Sequence, residues 1–114
     1  MDLLEFTEKF IKKSDIYVPA AILFLIHNNA RASINQIAKL IYIFEHKKSV
    51  KEYEEIVKKM VQKILVEYEI IEVRRYGFKL KKWPIEKEKF EKIRKICMYS
   101  LNGFFMPVTK SDEI

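Results

Sequence analysis

Apolar and polar residues follow a helical period through most of this chain and a strand period in one short stretch around residue 75. Between Ser33 and Phe44, the residues Ile34, Ile37, Ala38, Ile41 and Phe44 recur at steps of three or four, the spacing of one helix face. Ser33-Ile34-Asn35-Gln36 precedes that stripe as a capping box: a Ser hydroxyl accepts from a backbone N–H and a Gln three residues on reaches back. Ser49-Val50-Lys51-Glu52 repeats the signal. Tyr53, Ile56, Val57, Met60, Val61 and Ile64 then form the inward face of a helix running from Val50 to about Val66. The period next becomes two. Ile71, Val73 and Arg75 alternate with Glu72 and Arg74, Tyr76-Gly77 marks a two-residue turn, and Phe78 and Leu80 alternate with Lys79 and Lys81. This register sets Arg75 opposite Phe78 and Val73 opposite Leu80, and turns Arg74, Lys79 and Lys81 to the other face.

The flanks are helical. Met1 to Lys13 predicts a first helix, ended by Ser14-Asp15, with Leu3, Phe6 and Phe10 on one face and Leu4 and Ile11 beside them. A helix this short is marginal alone, so its stripe docks on its own domain, on a dimer partner, or on both. Pro19 suits the first turn of a second helix that is apolar nearly all round from Ala20 to Ile26 and is therefore buried on several sides. Trp83-Pro84 closes the hairpin and opens a last helix with Pro at its start. Its stripe is Phe90, Ile93, Cys97, Leu101 and Phe104, and Asn102-Gly103 offers a left-handed end. Phe104-Phe105-Met106-Pro107 is an apolar tail, and residues 109–114 are expected to fray.

The expected fold is thus mainly α with a small β-hairpin, in one domain: an N-terminal helix (1–15), a core (17–83), a C-terminal helix (84–105) and a tail (106–114). A length of 114 residues leaves room for one hydrophobic core. One cysteine excludes an intramolecular disulfide, and Cys97 reads as a small buried hydrophobe. Cys97, His27 and His46 are too widely separated to form a zinc pattern, and His27 reads as structural. Two glycines cannot build a phosphate loop, no Ser sits in a nucleophile elbow, and the carboxylates read as helix-surface partners of Lys. No catalysis, metal or cofactor is expected. The longest apolar run, Ile16 to Ile26, contains Pro19 and falls short of the ~20 residues a bilayer span needs. The acidic start lacks the basic region of a signal peptide, so a cytoplasmic location is expected.

Charge placement sharpens the picture. The net charge is +6, and residues 1–57 carry 8 basic and 8 acidic side chains, so the whole excess lies beyond them. Lys58 to Lys82 alone holds 8 basic against 3 acidic residues. The excess sits on the second capped helix and the hairpin, where an anionic partner would touch.

Helix, helix, hairpin is the order of a winged helix-turn-helix module, and Tyr17 to Trp83 resembles that family. The resemblance rests on Ile56-Val57-Lys58-Lys59-Met60-Val61-Gln62-Lys63-Ile64-Leu65, then Ile70-Ile71-Glu72-Val73, then a Gly-bearing wing tip. The flanking helices also resemble dimeric repressors of the arsenic-sensor type, without their metal-binding Cys and His motif. Size and composition look like those of small basic winged-helix proteins from archaea and their viruses. The resemblance implies a short strand at Arg31-Ala32-Ser33 that pairs with the wing, double-stranded DNA as partner, a role in transcription regulation and a homodimer whose recognition helices reach successive major grooves about 34 Å apart. Lys51, Tyr53 and Lys58 would then face the groove with Lys59 as a further DNA-binding residue of the same helix, Lys47 and Lys48 the phosphates, and Arg74, Arg75, Tyr76, Lys79 and Lys81 the flanking backbone or minor groove. Leu3, Phe6, Phe10, Phe90, Ile93, Cys97, Leu101 and Phe104 would form the dimer interface. Two features depart from the pattern: the helix from Ile34 runs on to Glu45-His46-Lys47-Lys48 without a Gly turn, and Glu52, Glu54 and Glu55 crowd the start of the recognition helix. The trio suits the positive end of the helix dipole but repels phosphate. It leaves open a second reading, a winged-helix module that binds protein through the apolar surface at Phe104, Phe105 and Met106.

Overall fold

The computed structural model describes residues 1–11 and 16–105, with the backbone alone at 102–105. The chain is mainly helical with a small antiparallel sheet, in the order α1 (Leu3–Phe10), α2 (Tyr17–His27), β1 (Arg31–Ala32), α3 (Ile34–Glu45), α4 (Val50–Ile56), a π turn (Val57–Val61), α5 (Gln62–Glu67), β2 (Ile71–Arg74), β3 (Gly77–Leu80) and α6 (Lys87–Phe105).

Local chemistry sets most of these boundaries. Asp2 caps α1 by accepting from the Glu5 N–H at 2.8 Å. That bond, aided by Lys89 at 3.3 Å, holds the Asp2 carboxyl below its ordinary range. Both capping boxes close in both directions. Gln36 N donates to Ser33 Oγ at 3.0 Å and Ser33 N to Gln36 Oε1 at 2.9 Å; Glu52 N donates to Ser49 Oγ at 3.1 Å and Ser49 N to Glu52 Oε1 at 2.9 Å. Between the boxes, α3 stops at His46, whose left-handed backbone (φ 32, ψ 45) points its N–H at the Tyr42 carbonyl, 2.8 Å away.

From Val50 to Glu67 the chain forms one continuous helix interrupted only by the π turn. Its fully buried residues are Tyr53, Val57, Val61 and Leu65, each four after the last. Three steps of four carry a stripe ~120° around a regular α-helix. The wider π turn absorbs that drift and keeps all four side chains on the core. Met60, expected inward, instead stands 44% exposed, and Ile56 and Ile64 are half-buried.

The sheet order is β1-β3-β2, antiparallel throughout. The hairpin loop is Arg75-Tyr76, one residue earlier than expected, so Val73 faces Phe78 and Ile71 faces Leu80. Gly77 explains the shift. Its φ is +141, and a Cβ there would lie 2.3 Å from the Ala32 carbonyl oxygen and 2.6 Å from Ser33 Cα. The glycine serves the close passage of β1 across β3, not the turn. Arg75 consequently leaves the face it was expected to share with Val73, Phe78 and Leu80, whereas Arg74 and Lys79 keep theirs.

The last helix begins at Lys87, so Pro84 stands in the link before it and not in its first turn. Its backbone stays helical through Asn102 and Gly103 to Phe105 instead of ending there. It packs on α2 and α1. One hydrophobic cluster runs from Leu3 and Phe6 through α2 and α3 to Ile93, Cys97 and Leu101.

That packing corrects the expected dimer surface. Leu3, Phe6, Ile93, Cys97 and Leu101 are buried inside the chain. Phe10 stacks on Phe6 at 5.1 Å and meets Tyr68 at 4.6 Å, while Phe90 takes an edge contact with His27 at 5.4 Å. The apolar stripes of the terminal helices cover each other and α2. Helix α1 ends at Phe10, where Ile11 turns to extended backbone, short of the expected end at Lys13; Ser14-Asp15, the side chains of Phe104 and Phe105 and the tail from residue 106 lie outside the described residues. No helix among the described residues is long and apolar enough to cross a membrane.

Candidate nucleic-acid interface

The corner between α3 and α4 is built around Tyr53. Its hydroxyl donates to Glu45 Oε1 at 2.7 Å and accepts from the backbone N–H groups of Lys47 and Lys48 at 3.0 and 3.2 Å. Tyr17 donates to the same Glu45 oxygen at 3.4 Å, and the rings of Tyr17 and Tyr42 each lie 6.5 Å from that of Tyr53. Burial, then the Glu45 carboxylate, push the Tyr53 phenol above its ordinary pKa, so it remains a neutral donor. Tyr53 is fully buried. It therefore cannot touch a ligand as expected, because its ring completes the core stripe of α4. Its role is to fix the backbone that presents Lys47 and Lys48, both of which are exposed.

The acids that weighed against a phosphate partner are partly committed to structure. Glu52 closes the capping box, and its carboxyl is held below the ordinary range first by the Ser49 N–H. Glu54 accepts from Asn35 Nδ2 at 2.7 Å, tying α4 to α3. Glu55 is exposed.

Lys51, Lys58, Lys59 and Lys63 project from the helix into solvent, with Lys58 and Lys59 on the π turn itself. Among the described residues, none of these, nor Lys47 or Lys48, reaches a carboxylate within 4.0 Å. Lys63 was not singled out among the expected contacts, although its spacing from Lys59 places it one turn along.

On the sheet, Lys79 stands opposite Glu72 on one side and Arg31 on the other. Glu72 is held by Arg74, whose Nε donates to Glu72 Oε1 at 2.8 Å. Arg75 and Tyr76 are exposed in the loop, and Lys81 is exposed just after β3. Arg31 is a second residue missed by reading the sequence. Its guanidinium carbon lies 5.4 Å from the centre of the Tyr76 ring. The available signal was the expected short strand: once it pairs with the hairpin, its outward residue joins the hairpin's cations.

A cleft of about 300 Å3 lies between α1, the 82–86 link and α6. Lys89 and Asp2 pair across it, and it brings together no nucleophile with a base. Among the described residues no group of three or more His, Cys, Asp or Glu is placed to hold a metal ion. Comparison of the chain with protein-family models, with curated proteins and with solved structures finds no match.

Proposed function

We propose that the protein is a winged-helix module that binds duplex DNA, with the outward side of the α4–α5 helix toward the major groove and the hairpin against the flanking backbone. The order α2, β1, α3, α4–α5, β2, β3 and the strand order β1-β3-β2 support this reading. The observation that carries it is the run of exposed cations without carboxylate partners among the described residues, Lys47, Lys48, Lys51, Lys58, Lys59 and Lys63, on one helix and the corner that precedes it. Unpaired lysines on a rigid element displace counterions from a phosphate backbone, and the entropy of that release drives association. A bound module occludes the sites of other proteins, so regulation of transcription by steric occupation is the role that follows. A dimer is not needed for this mechanism.

Replacing Lys58 and Lys59 together by Ala tests the interface. Affinity for duplex DNA should fall, and the slope of log K against log salt should flatten by about 0.9 for each phosphate contact removed. Lys79→Ala should act alike, and Arg74→Ala less, because Glu72 already engages that guanidinium. Unchanged slopes would remove these residues from the interface.

A second reading, a protein-binding module, draws on α3, where Ile43 is 64% and Tyr42 43% exposed. Ile43→Ala would abolish protein capture under that reading and leave duplex binding unchanged under the first.

A further inference from the structure

The solvent face of the sheet holds an arrangement that neither strand nor hairpin stability explains. Arg31 and Lys79 are directly opposed on β1 and β3. Side chains so opposed stand ~5 Å apart at Cβ, where like charges repel. The nearest acid across the sheet, Glu72, is taken up by Arg74. The pair is thus left without an anion among the described residues. Its backbone is nevertheless rigidly set. Asn28 Nδ2 donates to the Arg31 carbonyl at 2.8 Å, Ala30 N to the Leu25 carbonyl at 2.8 Å, and Leu80 N to the Ala30 carbonyl at 2.9 Å. Asn29 and Ala30 take left-handed backbone (φ 56 and 68), an uncommon state for an alanine, to turn the chain from α2 into β1.

The Arg31 guanidinium lies over the Tyr76 ring at the hairpin tip. One ring contact leaves most of the five guanidinium N–H groups available to donate. One residue thereby does two things: it ties the tip loop to β1, and with Lys79 it offers donors to one anionic oxygen group. We infer that Arg31 is a phosphate-binding residue of the wing, acting together with Lys79 on a backbone phosphate of duplex nucleic acid, and that its stacking on Tyr76 positions the hairpin tip so that Arg75 meets the same strand. The inference rests on the duplex-binding reading and adds to it a residue, a ligand group and a coupling.

The test is a double-mutant cycle on the full chain, read by fluorescence anisotropy with a labelled random-sequence duplex over a range of salt. The variants are Arg31→Ala, Arg31→Lys, Tyr76→Leu, Tyr76→Phe and Arg31→Ala/Tyr76→Leu. Arg31 and Tyr76 are both exposed, so unfolding midpoints in urea should stay at the wild-type value. Arg31→Ala should weaken binding and flatten the salt slope by about 0.9. Tyr76→Leu should weaken binding roughly two- to fivefold without changing the slope, the scale of an exposed cation–π contact. Tyr76→Phe should behave as wild type. Arg31→Lys should keep the slope and lose affinity as Tyr76→Leu does. The double variant should lose less than the two single losses combined. Wild-type binding with a steep salt slope, alongside an Arg31→Ala variant of equal affinity and slope, would overturn the inference and leave the duplex-binding reading standing. Strictly additive losses would overturn the coupling. Absence of wild-type binding at low salt would overturn both.

Discussion

Tyr53→Phe isolates the hydroxyl that organises the α3–α4 corner. The substitution keeps the buried ring and removes one oxygen, which donates to Glu45 and accepts from the Lys47 and Lys48 N–H groups. A hydrogen bond to a carboxylate contributes about 1.5–3 kcal/mol. The two backbone donors belong to exposed residues and can turn to water, so their loss adds only a few tenths each. The expected cost is about 2 kcal/mol, or a fall in Tm of roughly 5–10 °C for a chain of this size. Thermal and urea unfolding followed by circular dichroism measure it. The pH dependence has a definite sign. The folded-state pKa of Tyr53 is raised, so its contribution is complete below the ordinary tyrosine value of about 10 and is lost as pH rises through the folded value. The stability gap between wild type and Tyr53→Phe should therefore be constant at neutral pH and narrow in alkali. A gap under about 0.5 kcal/mol at pH 7, the range of an indifferent surface change, would refute the bracing role.

Gly77→Ala should cost more than about 2 kcal/mol, because the new Cβ meets backbone atoms of Ala32 and Ser33 that no side-chain rotation can move; urea titration checks this, and a near-neutral effect would mean that β1 is not where it is described. Cys97 is buried with its thiol pushed up to about 12, so a thiol reagent at pH 8 should modify it only at the rate of unfolding; rapid labelling of the native protein would contradict the packing of α6.

Short-range chemistry was the most legible part of the chain. Ser33-Gln36 and Ser49-Glu52 form the two capping boxes as read, because these signals depend on a few neighbouring atoms, and Arg31-Ala32 forms the short strand that the family resemblance implied. The hairpin was legible as an element but not in register. A Gly beside a Tyr reads as a turn, yet Gly77 answers to the distant Ala32-Ser33 backbone, a contact that alternation cannot reveal. The π turn left a trace, the repeated step of four at Tyr53, Val57, Val61 and Leu65, but a regular period of 3.6 spreads the stripe and draws Met60 inward. An apolar stripe does not say what covers it. Leu3, Phe6, Ile93, Cys97 and Leu101 looked like a dimer surface and are filled by α1, α2 and α6 of the same chain. For the candidate site, exposure separated the lysines from Tyr53, and strand pairing brought in Arg31.

The proposed function requires that the exposed cations of the α4–α5 helix and the hairpin meet the phosphates of a duplex. A fluorescence anisotropy titration of the wild-type protein against random duplex DNA at about 50 and about 200 mM salt tests it most directly. The account predicts binding at the lower salt that weakens by at least about tenfold at the higher. Folded protein that shows no binding at the lower salt would contradict it.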